Sequence, residues 1–153
     1  FHAWQPPWKV QPMIATWANS YIGIPYVDRG RDRMGCDCWG LVRLVFIEQF
    51  DITLESLHED YPSSADTRAT ARLIGRHLSP WVSIMTPDRQ MAPPQAGDGI
   101  LMRRMMRNCH TGIFVGPCHF IHAEEKIGVV LAELGYGRDA RRWTGIFRHE
   151  QLA

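Results

Sequence analysis

One cysteine at the predicted start of a helix is best placed for covalent chemistry. Cys38 follows Asp37, whose carboxylate can cap the helix. The apolar residues that continue the helical pattern are Leu41, Leu44, Val45 and Phe46. The helix dipole stabilises negative charge at this end, so we expect Cys38 to have a lowered pKa and to act as a thiolate nucleophile. The alternative is a buried structural cysteine.

A cysteine nucleophile also needs a base and a polar group that orients the base. His110 opens one predicted strand and His122 lies in the next, with a tight turn expected between them at residues 116–117. Hairpin partners have Cβ atoms about 5 Å apart, so His110 could face Cys38 with one nitrogen and His122 with the other. The remaining histidines are interpreted as surface or half-buried residues: His2, His58, His77, His119 and His149.

Composition limits the classes of protein to consider. The 153 residues suit one domain, and a net charge of +1 argues against a general nucleic-acid binder. No apolar run reaches about 18 residues, so no membrane span is expected. The N-terminal residues show no basic segment followed by an apolar one, so no Sec-type signal is expected.

The four cysteines do not have a common zinc spacing. Cys36 and Cys38 form a Cys-x-Cys pair, and Cys109 and Cys118 lie nine positions apart. We therefore expect no metal and no cofactor, and reduced, mostly buried thiols rather than disulfides.

The chain divides into a short arm, residues 1–12, and one domain, residues 13–153. Three prolines disfavour a regular helix in the arm, whose Trp4 and Trp8 could fold back on the domain or dock on a partner chain. Helices are expected at 13–21, 38–49 and 65–77. Strands are expected at 81–84, 99–102, 110–116, 120–123, 129–134 and 142–148. Helices followed by closely spaced, antiparallel strands indicate an α+β fold.

The loop at residues 27–34 contains alternating charges. It is either a solvated loop or an arginine-lined rim in which Arg31 binds a substrate carboxylate, because arginine suits bidentate carboxylate binding.

Five short motifs together resemble the NlpC-like cell-wall cysteine peptidases across roughly residues 17–147. In chain order they are Pro25-Tyr26, Asp37-Cys38-Trp39-Gly40-Leu41-Val42, Gly97-Asp98, His110-Thr111-Gly112-Ile113 and Phe120-Ile121-His122-Ala123. The set is specific, although each motif alone is weak. The resemblance implies a papain-like α+β fold with N-terminal helices packed on a small antiparallel sheet.

The resemblance also implies the site residues. Cys38 would be the nucleophile, His110 the base and His122 the third polar residue, with Tyr26 lining the active site. Asp37 and Trp39 are assigned to the same lining, and Trp39 stands where many relatives have serine. The backbone N–H of Cys38 would contribute to an oxyanion hole.

The implied activity is hydrolysis of the bond between D-γ-glutamate and a diamino acid in peptidoglycan stem peptides, without a metal. The sequence around Cys38, with Arg43 and the later His-Ala-Glu-Glu, looks most like peptidases encoded with phage tails. That resemblance implies assembly in the bacterial cytoplasm, a place in the virion tail and action at the host cell wall, with other tail proteins contacting the arm. A structural tail-tip module with little hydrolysis and an acyltransferase or amidase on another substrate are the alternatives.

Overall fold

The computed structural model describes residues 13–57, 59, 61, 63, 66–135, 137 and 141–153, and the predicted arm at residues 1–12 lies outside them. The helices are α1 (Cys38–Phe50) and α2 (Thr67–Arg76). The strands are β1 (Arg31–Asp32), β2 (Gly35–Cys36), β3 (Trp81–Thr86), β4 (Arg89–Gln90), β5 (Gly99–Arg104), β6 (Arg107–Phe114), β7 (His119–Glu124), β8 (Gly128–Glu133) and β9 (Trp143–His149). Short 3-10 helices span Ala18–Ser20 and Glu150–Leu152. The predicted α+β class is confirmed.

Within the described residues, seven strands form one antiparallel sheet in the order β4-β3-β9-β5-β6-β7-β8. The short strands β1 and β2 form a separate antiparallel pair just before α1. No helix in this part of the chain has the length and apolar character needed to cross a membrane.

Helix α1 has the ends that its sequence predicts. The Asp37 carboxylate accepts a hydrogen bond from the backbone N–H of Gly40 at 2.9 Å, which makes Asp37 the N-cap. Asp51 adopts a left-handed conformation with φ of 55° and ends the helix after Phe50. A Cβ at Gly40 would lie 2.0 Å from the carbonyl oxygen of Gly30, so only glycine lets the helix start pack this closely on the preceding loop.

The sheet buries apolar side chains in two clusters. The first packs α1 against the sheet and includes Leu41, Val45 and Phe46 with Ile113 and Ile121. The second is drawn from the sheet strands and their connections, and its members are Ile84, Met85, Ile100, Met102, Phe114, Phe120, Leu134, Trp143 and Ile146. Ile121 and Ala123, on either side of His122, lie in the first cluster, and Phe120 lies in the second, so β7 is packed on both faces.

The predicted helix at residues 13–21 is wrong beyond a single 3-10 turn at Ala18–Ser20. The backbone N–H of Ala15 donates to the carbonyl of Val115, in the turn that joins β6 to β7. Pairing with that turn ties the start of the segment to the sheet, although Tyr21 at its end is still fully buried.

The Gly97-Asp98 motif is explained by a buried ion pair. Asp98 is fully buried, and both of its carboxylate oxygens accept hydrogen bonds at 2.9 Å from Arg148 on β9. Burial raises the pKa of Asp98, while Arg148 and the backbone N–H of Gln95 act against that rise. The pair ties the start of β5 to β9.

Candidate active site

Cys38 is the first residue of α1, and it contacts the strand that carries His110. Its side chain is buried, with 6% of the residue exposed. The Cys38 thiol interacts with both the backbone and the side chain of Thr111, which directly follows His110 on β6. The start of α1 therefore lies against β6, one residue beyond the predicted base.

The two histidines form a buried pair. His110 Nε2 lies 2.8 Å from His122 Nδ1, and the residues are 1% and 0% exposed. Their rings meet nearly at right angles, with centroids 5.1 Å apart. The prediction that His122 hydrogen-bonds His110 across two neighbouring strands is confirmed. A Cβ at Gly112 would lie 2.9 Å from the carbonyl oxygen of Ile121, so glycine in this motif lets β6 approach β7 at the histidine pair.

A carboxylate with no motif to mark it lies beside the contact between the two histidines. Glu124 Oε2 lies 3.6 Å from His122 Nδ1, and its side chain is only 10% exposed. Glu124 is two residues after His122 on β7, and residues at this spacing share one face of a strand. That period of two was the signal that could have found it. A carboxylate at this distance would favour a positive charge on the histidine pair if His110 took up a proton.

Replacing Glu124 by glutamine is expected to lower kcat by about tenfold with little change in KM, a smaller loss than the 10²- to 10⁴-fold typical of a general base. The variant keeps the shape of the side chain but removes its charge. Steady-state kinetics on peptidoglycan fragments would measure the effect. Glu125→Gln is the matched control, because Glu125 is exposed and pairs with Arg104 at 3.1 Å. Equal rates for both variants and the wild type would show that Glu124 has no electrostatic role.

The expected lowering of the Cys38 pKa is wrong for this structure. Burial, and then the negative charge of Asp37, raise the pKa of the Cys38 thiol to about 11. The contacts with Thr111 act in the opposite direction but do not outweigh them. The surroundings of Cys38 in this structure therefore favour the neutral thiol over the thiolate.

Alkylation of Cys38 is expected to accelerate about tenfold per pH unit through the neutral and mildly alkaline range, because only the thiolate reacts. The rate should level off near the pKa of about 11. Iodoacetamide labelling followed by peptide mapping would separate Cys38 from Cys36, whose pKa burial raises to about 12. A rate that is already constant near pH 7 would instead show that His110 holds the Cys38 proton in the resting enzyme.

Asp37 does more than cap α1. It is 1% exposed and accepts hydrogen bonds from the Arg31 guanidinium at 2.8 Å, the backbone N–H of Arg29 at 3.0 Å and the hydroxyl of Tyr61. Burial and the Asp37 charge raise the pKa of Tyr61, which keeps this phenol protonated as a donor. Tyr61 was missed from sequence because nothing local in its loop indicates a partner 24 residues away.

The loop at residues 27–34 is mostly exposed, as the solvated interpretation expects, but Arg31 itself is not. The Arg31 side chain is only 12% exposed and pairs with Asp37, so it does not form an open rim in this structure. Its guanidinium donates to Asp37 at 2.8 Å, to Tyr61 at 2.6 Å and to the carbonyl of Ser56 at 2.8 Å. Arg31 therefore fixes the residues around the helix start.

A covering segment, residues 54–57, crosses the start of α1. Three side chains hold its backbone carbonyls in consecutive order. Arg43 Nε donates to Leu54 at 3.0 Å, Trp39 Nε1 donates to Glu55 at 2.9 Å, and Arg31 Nε donates to Ser56 at 2.8 Å. Trp39 thus positions the covering segment. A serine at the same place could not, because its side chain is too short to reach the Glu55 carbonyl.

A narrow apolar cavity of about 60 Å³ opens beside Cys38. It lies between α1, α2 and the sheet, and its lining includes Asp37, Trp39, Tyr61 and Thr111. The prediction that Asp37 and Trp39 line the site is consistent with this position. Tyr26 does not line this cavity. It is half-buried, pairs with Cys36, and interacts electrostatically with Arg104 on β5, as Glu124 does.

All four cysteines are free thiols, and three of them are buried, as expected.

A capped helix that begins with a cysteine and packs beside an antiparallel sheet with a buried histidine pair defines a papain-like α+β fold. The sequence model of the NlpC/P60 family matches residues 23–148. The chain therefore belongs to the NlpC/P60 family.

Curated relatives carry endopeptidase names. A probable endopeptidase of Haemophilus influenzae is 28% identical over 124 residues, which cover 80% of this chain and 64% of the relative. The murein DD-endopeptidase MepS/murein LD-carboxypeptidase of Escherichia coli is 24% identical over 126 residues, which cover 82% of this chain and 54% of that protein. The chain thus spans between half and two thirds of the length of these relatives.

Solved structures share the fold. The NlpC/p60 domain of the peptidoglycan hydrolase SagA aligns with a TM-score of 0.55 and 20% identity over 86% of this chain and 92% of that domain. An NlpC/P60 family protein from Bacillus cereus aligns with a TM-score of 0.58 and 18% identity over 86% of this chain and 37% of that protein.

Proposed function

We propose that this chain is a cysteine endopeptidase that hydrolyses peptidoglycan stem peptides. The observation that carries the proposal is the buried 2.8 Å contact between His110 on β6 and His122 on β7. The residue after His110 on β6, Thr111, contacts Cys38. The names of the curated relatives, which include murein endopeptidase, support the substrate class.

In the first half of the reaction, His110 removes the proton from the Cys38 thiol while the sulfur attacks the carbonyl carbon of the scissile amide. The backbone N–H of Cys38 in the first turn of α1 stabilises the oxyanion of the tetrahedral intermediate. The carbon–nitrogen bond then breaks, and His110 gives its proton to the leaving amine. The product is a thioester between Cys38 and the acyl part of the peptide.

In the second half, water attacks the thioester carbon and His110 accepts the proton of that water. The carbon–sulfur bond breaks, the sulfur recovers a proton from His110, and a carboxylate product leaves. His122 holds His110 in one orientation through its 2.8 Å contact, and Glu124 stabilises the transient positive charge. Both halves use only groups of the protein and water.

The bond expected to break joins D-γ-glutamate to the diamino acid of the stem peptide. The test is digestion of purified peptidoglycan, followed by mass analysis of the released fragments, with the Cys38→Ala variant as the blank. Fragments with a new γ-carboxyl group and a new diamino-acid amine would support the proposal. Fragments cut at another amide would change the assigned bond, and a pattern equal to the blank would overturn the peptidase.

The same chain is proposed to act from a phage tail or tail-like particle on the cell wall of the host. The motif around Cys38, with Trp39 and Arg43, resembles that of peptidases encoded with phage tails, and this resemblance supports the location. In the structure, these two side chains hold the covering segment. Mass spectrometry of purified particles should find the protein, and deletion of residues 1–12 should release it if the arm contacts other tail proteins. Its absence from intact particles would refute this location.

A structural tail-tip module with little hydrolysis is the second candidate. The observation in its favour is that burial and the charge of Asp37 raise the pKa of Cys38 to about 11. A thiol with a raised pKa is a weaker nucleophile at neutral pH, because only the thiolate attacks. In that case the wild type would join particles normally while the fragments released from peptidoglycan would match those of Cys38→Ala.

A further inference from the structure

A cluster of three potential metal ligands lies away from the Cys38 site, where β7 begins and β8 ends. The sulfur of Cys118, a ring nitrogen of His119 and a carboxylate oxygen of Glu133 all lie within 4.8 Å of one another. Each of the three residues is partly buried. The spacing of the four cysteines gives no sign of this cluster, because its other two members are a histidine next to Cys118 and a glutamate 14 positions after that histidine.

The backbone of the sheet holds these donors together. His119 and Glu133 are direct partners in the antiparallel pairing of β7 and β8, which places their side chains on the same face. Cys118 is anchored by its own carbonyl, which accepts a hydrogen bond at 2.8 Å from the N–H of Leu134. Little conformational entropy would therefore be lost on binding a cation, because the ligand backbones are already fixed.

The two distances from the Cys118 sulfur agree with tetrahedral coordination. The sulfur lies 3.5 Å from Glu133 Oε1 and 3.8 Å from His119 Nδ1. Metal–sulfur and metal–nitrogen bonds of about 2.3 and 2.1 Å at a tetrahedral angle require a sulfur–nitrogen separation of about 3.6 Å. The third separation, between the His119 ring nitrogen and the Glu133 carboxylate, is within 4.8 Å, so these two side chains would close in on the cation.

The donor chemistry selects the class of cation. A thiolate, an imidazole and a carboxylate form a set that suits zinc, whereas calcium and magnesium prefer oxygen ligands alone. The deprotonated cysteine and the glutamate carry two negative charges, which balance a divalent cation. Three protein ligands leave the fourth position for water.

We propose that Cys118, His119 and Glu133 form a zinc-type divalent-cation site that joins the start of β7 to the end of β8. Binding displaces the Cys118 proton to solvent and replaces the Cys118–Glu133 hydrogen bond with two metal–ligand bonds. Because β7 also carries His122, the bound cation fixes the strand that orients the proposed base. The site is independent of the peptidase proposal, and each can fail without the other.

The test uses metal-stripped full-length protein that carries Cys38→Ala, so that no cation can bind the Cys38 sulfur. Zinc titration by calorimetry is expected to show one equivalent bound, and cobalt is expected to give a sulfur-to-metal charge-transfer band with tetrahedral visible absorption. Removing a residue that only hydrogen-bonds to a metal ligand weakens metal affinity by about 10- to 100-fold. Cys118→Ser, His119→Ala and Glu133→Gln each remove a direct ligand, so we expect each to weaken zinc affinity by at least as much.

Cys109→Ser and Glu125→Gln are the matched controls, because they remove a cysteine and a glutamate outside the cluster and should leave affinity unchanged. Zinc should also raise the Tm of the parent protein but not that of Cys118→Ser. Absence of zinc binding, or an unchanged affinity and cobalt spectrum in Cys118→Ser, would show that the cluster is only a hydrogen-bonded surface group.

Discussion

Replacing Cys38 by alanine is expected to lower the rate of fragment release from peptidoglycan by roughly 10⁴- to 10⁶-fold, the range found when a catalytic nucleophile is removed. The thioester cannot form without the sulfur, and neither His110 nor the oxyanion donors can replace it. The change removes one buried atom at the first turn of α1, so the Tm should stay close to that of the wild type. Timed digestion with quantified fragments would measure the rate.

The matched control for Cys38 is Cys109→Ala. Cys109 is also a buried thiol, 4% exposed, whose pKa is raised mainly by burial, and it lies on β6 next to His110. This variant should release fragments at a rate within a few fold of the wild type. If both variants lost activity equally, a packing change near His110 would explain the loss, and the assignment of Cys38 as the nucleophile would fall.

The raised pKa of Cys38 changes how the proposed chemistry works. A helix N-terminus lowers a thiol pKa when the thiol is solvated, but here burial and the neighbouring Asp37 oppose it and prevail. The nucleophile is then generated by His110 at the moment of attack, as in a serine hydrolase, rather than stored as a thiolate. Coupling of Glu124 to His122 matters more in this case, because the charge on the histidine pair appears only during turnover.

Short-range patterns were sufficient for both α-helices, the six longer strands and the histidine pair. The cap at Asp37 and the apolar spacing after it predicted α1 almost to its last residue. His110 and His122 were placed together because a two-residue turn signal separates their strands, so their contact follows from local pairing. Both inferences depend on neighbours along the chain or across one hairpin, where sequence spacing fixes distance.

Contacts between distant parts of the chain could not be predicted in this way. Arg31 meets Ser56 and Tyr61, which are 25 and 30 residues away in an irregular region. No period or motif specifies such a contact, because loop closure permits many arrangements of similar free energy. The pKa of Cys38 depends on the same tertiary burial, so its direction also required the structure.

Replacing Asp37 by alanine is expected to produce the largest loss of stability, about 3–5 kcal/mol in the free energy of unfolding. Asp37 is 1% exposed, and its removal leaves the guanidinium of Arg31 without its charge partner at a site where that side chain is 12% exposed. The Tyr61 hydroxyl and the Gly40 N–H lose their acceptor as well. Urea unfolding monitored by circular dichroism would measure the change through the midpoint.

Asp66→Ala is the matched control, because Asp66 caps α2 through a single exposed hydrogen bond to the N–H of Ala69. Loss of a cap alone costs about 1 kcal/mol, so a similar loss in both variants would show that the buried network around Asp37 adds nothing to stability.

The Asp37→Asn variant separates the effect of the Asp37 charge from that of its shape. It should remain folded with an intermediate stability, and it should lower the pKa of Cys38, because the Asp37 charge is the second-largest cause of its rise. Alkylation of Cys38 in Asp37→Asn should therefore be faster than in the wild type at the same pH, and an equal rate would show that burial alone controls the thiol.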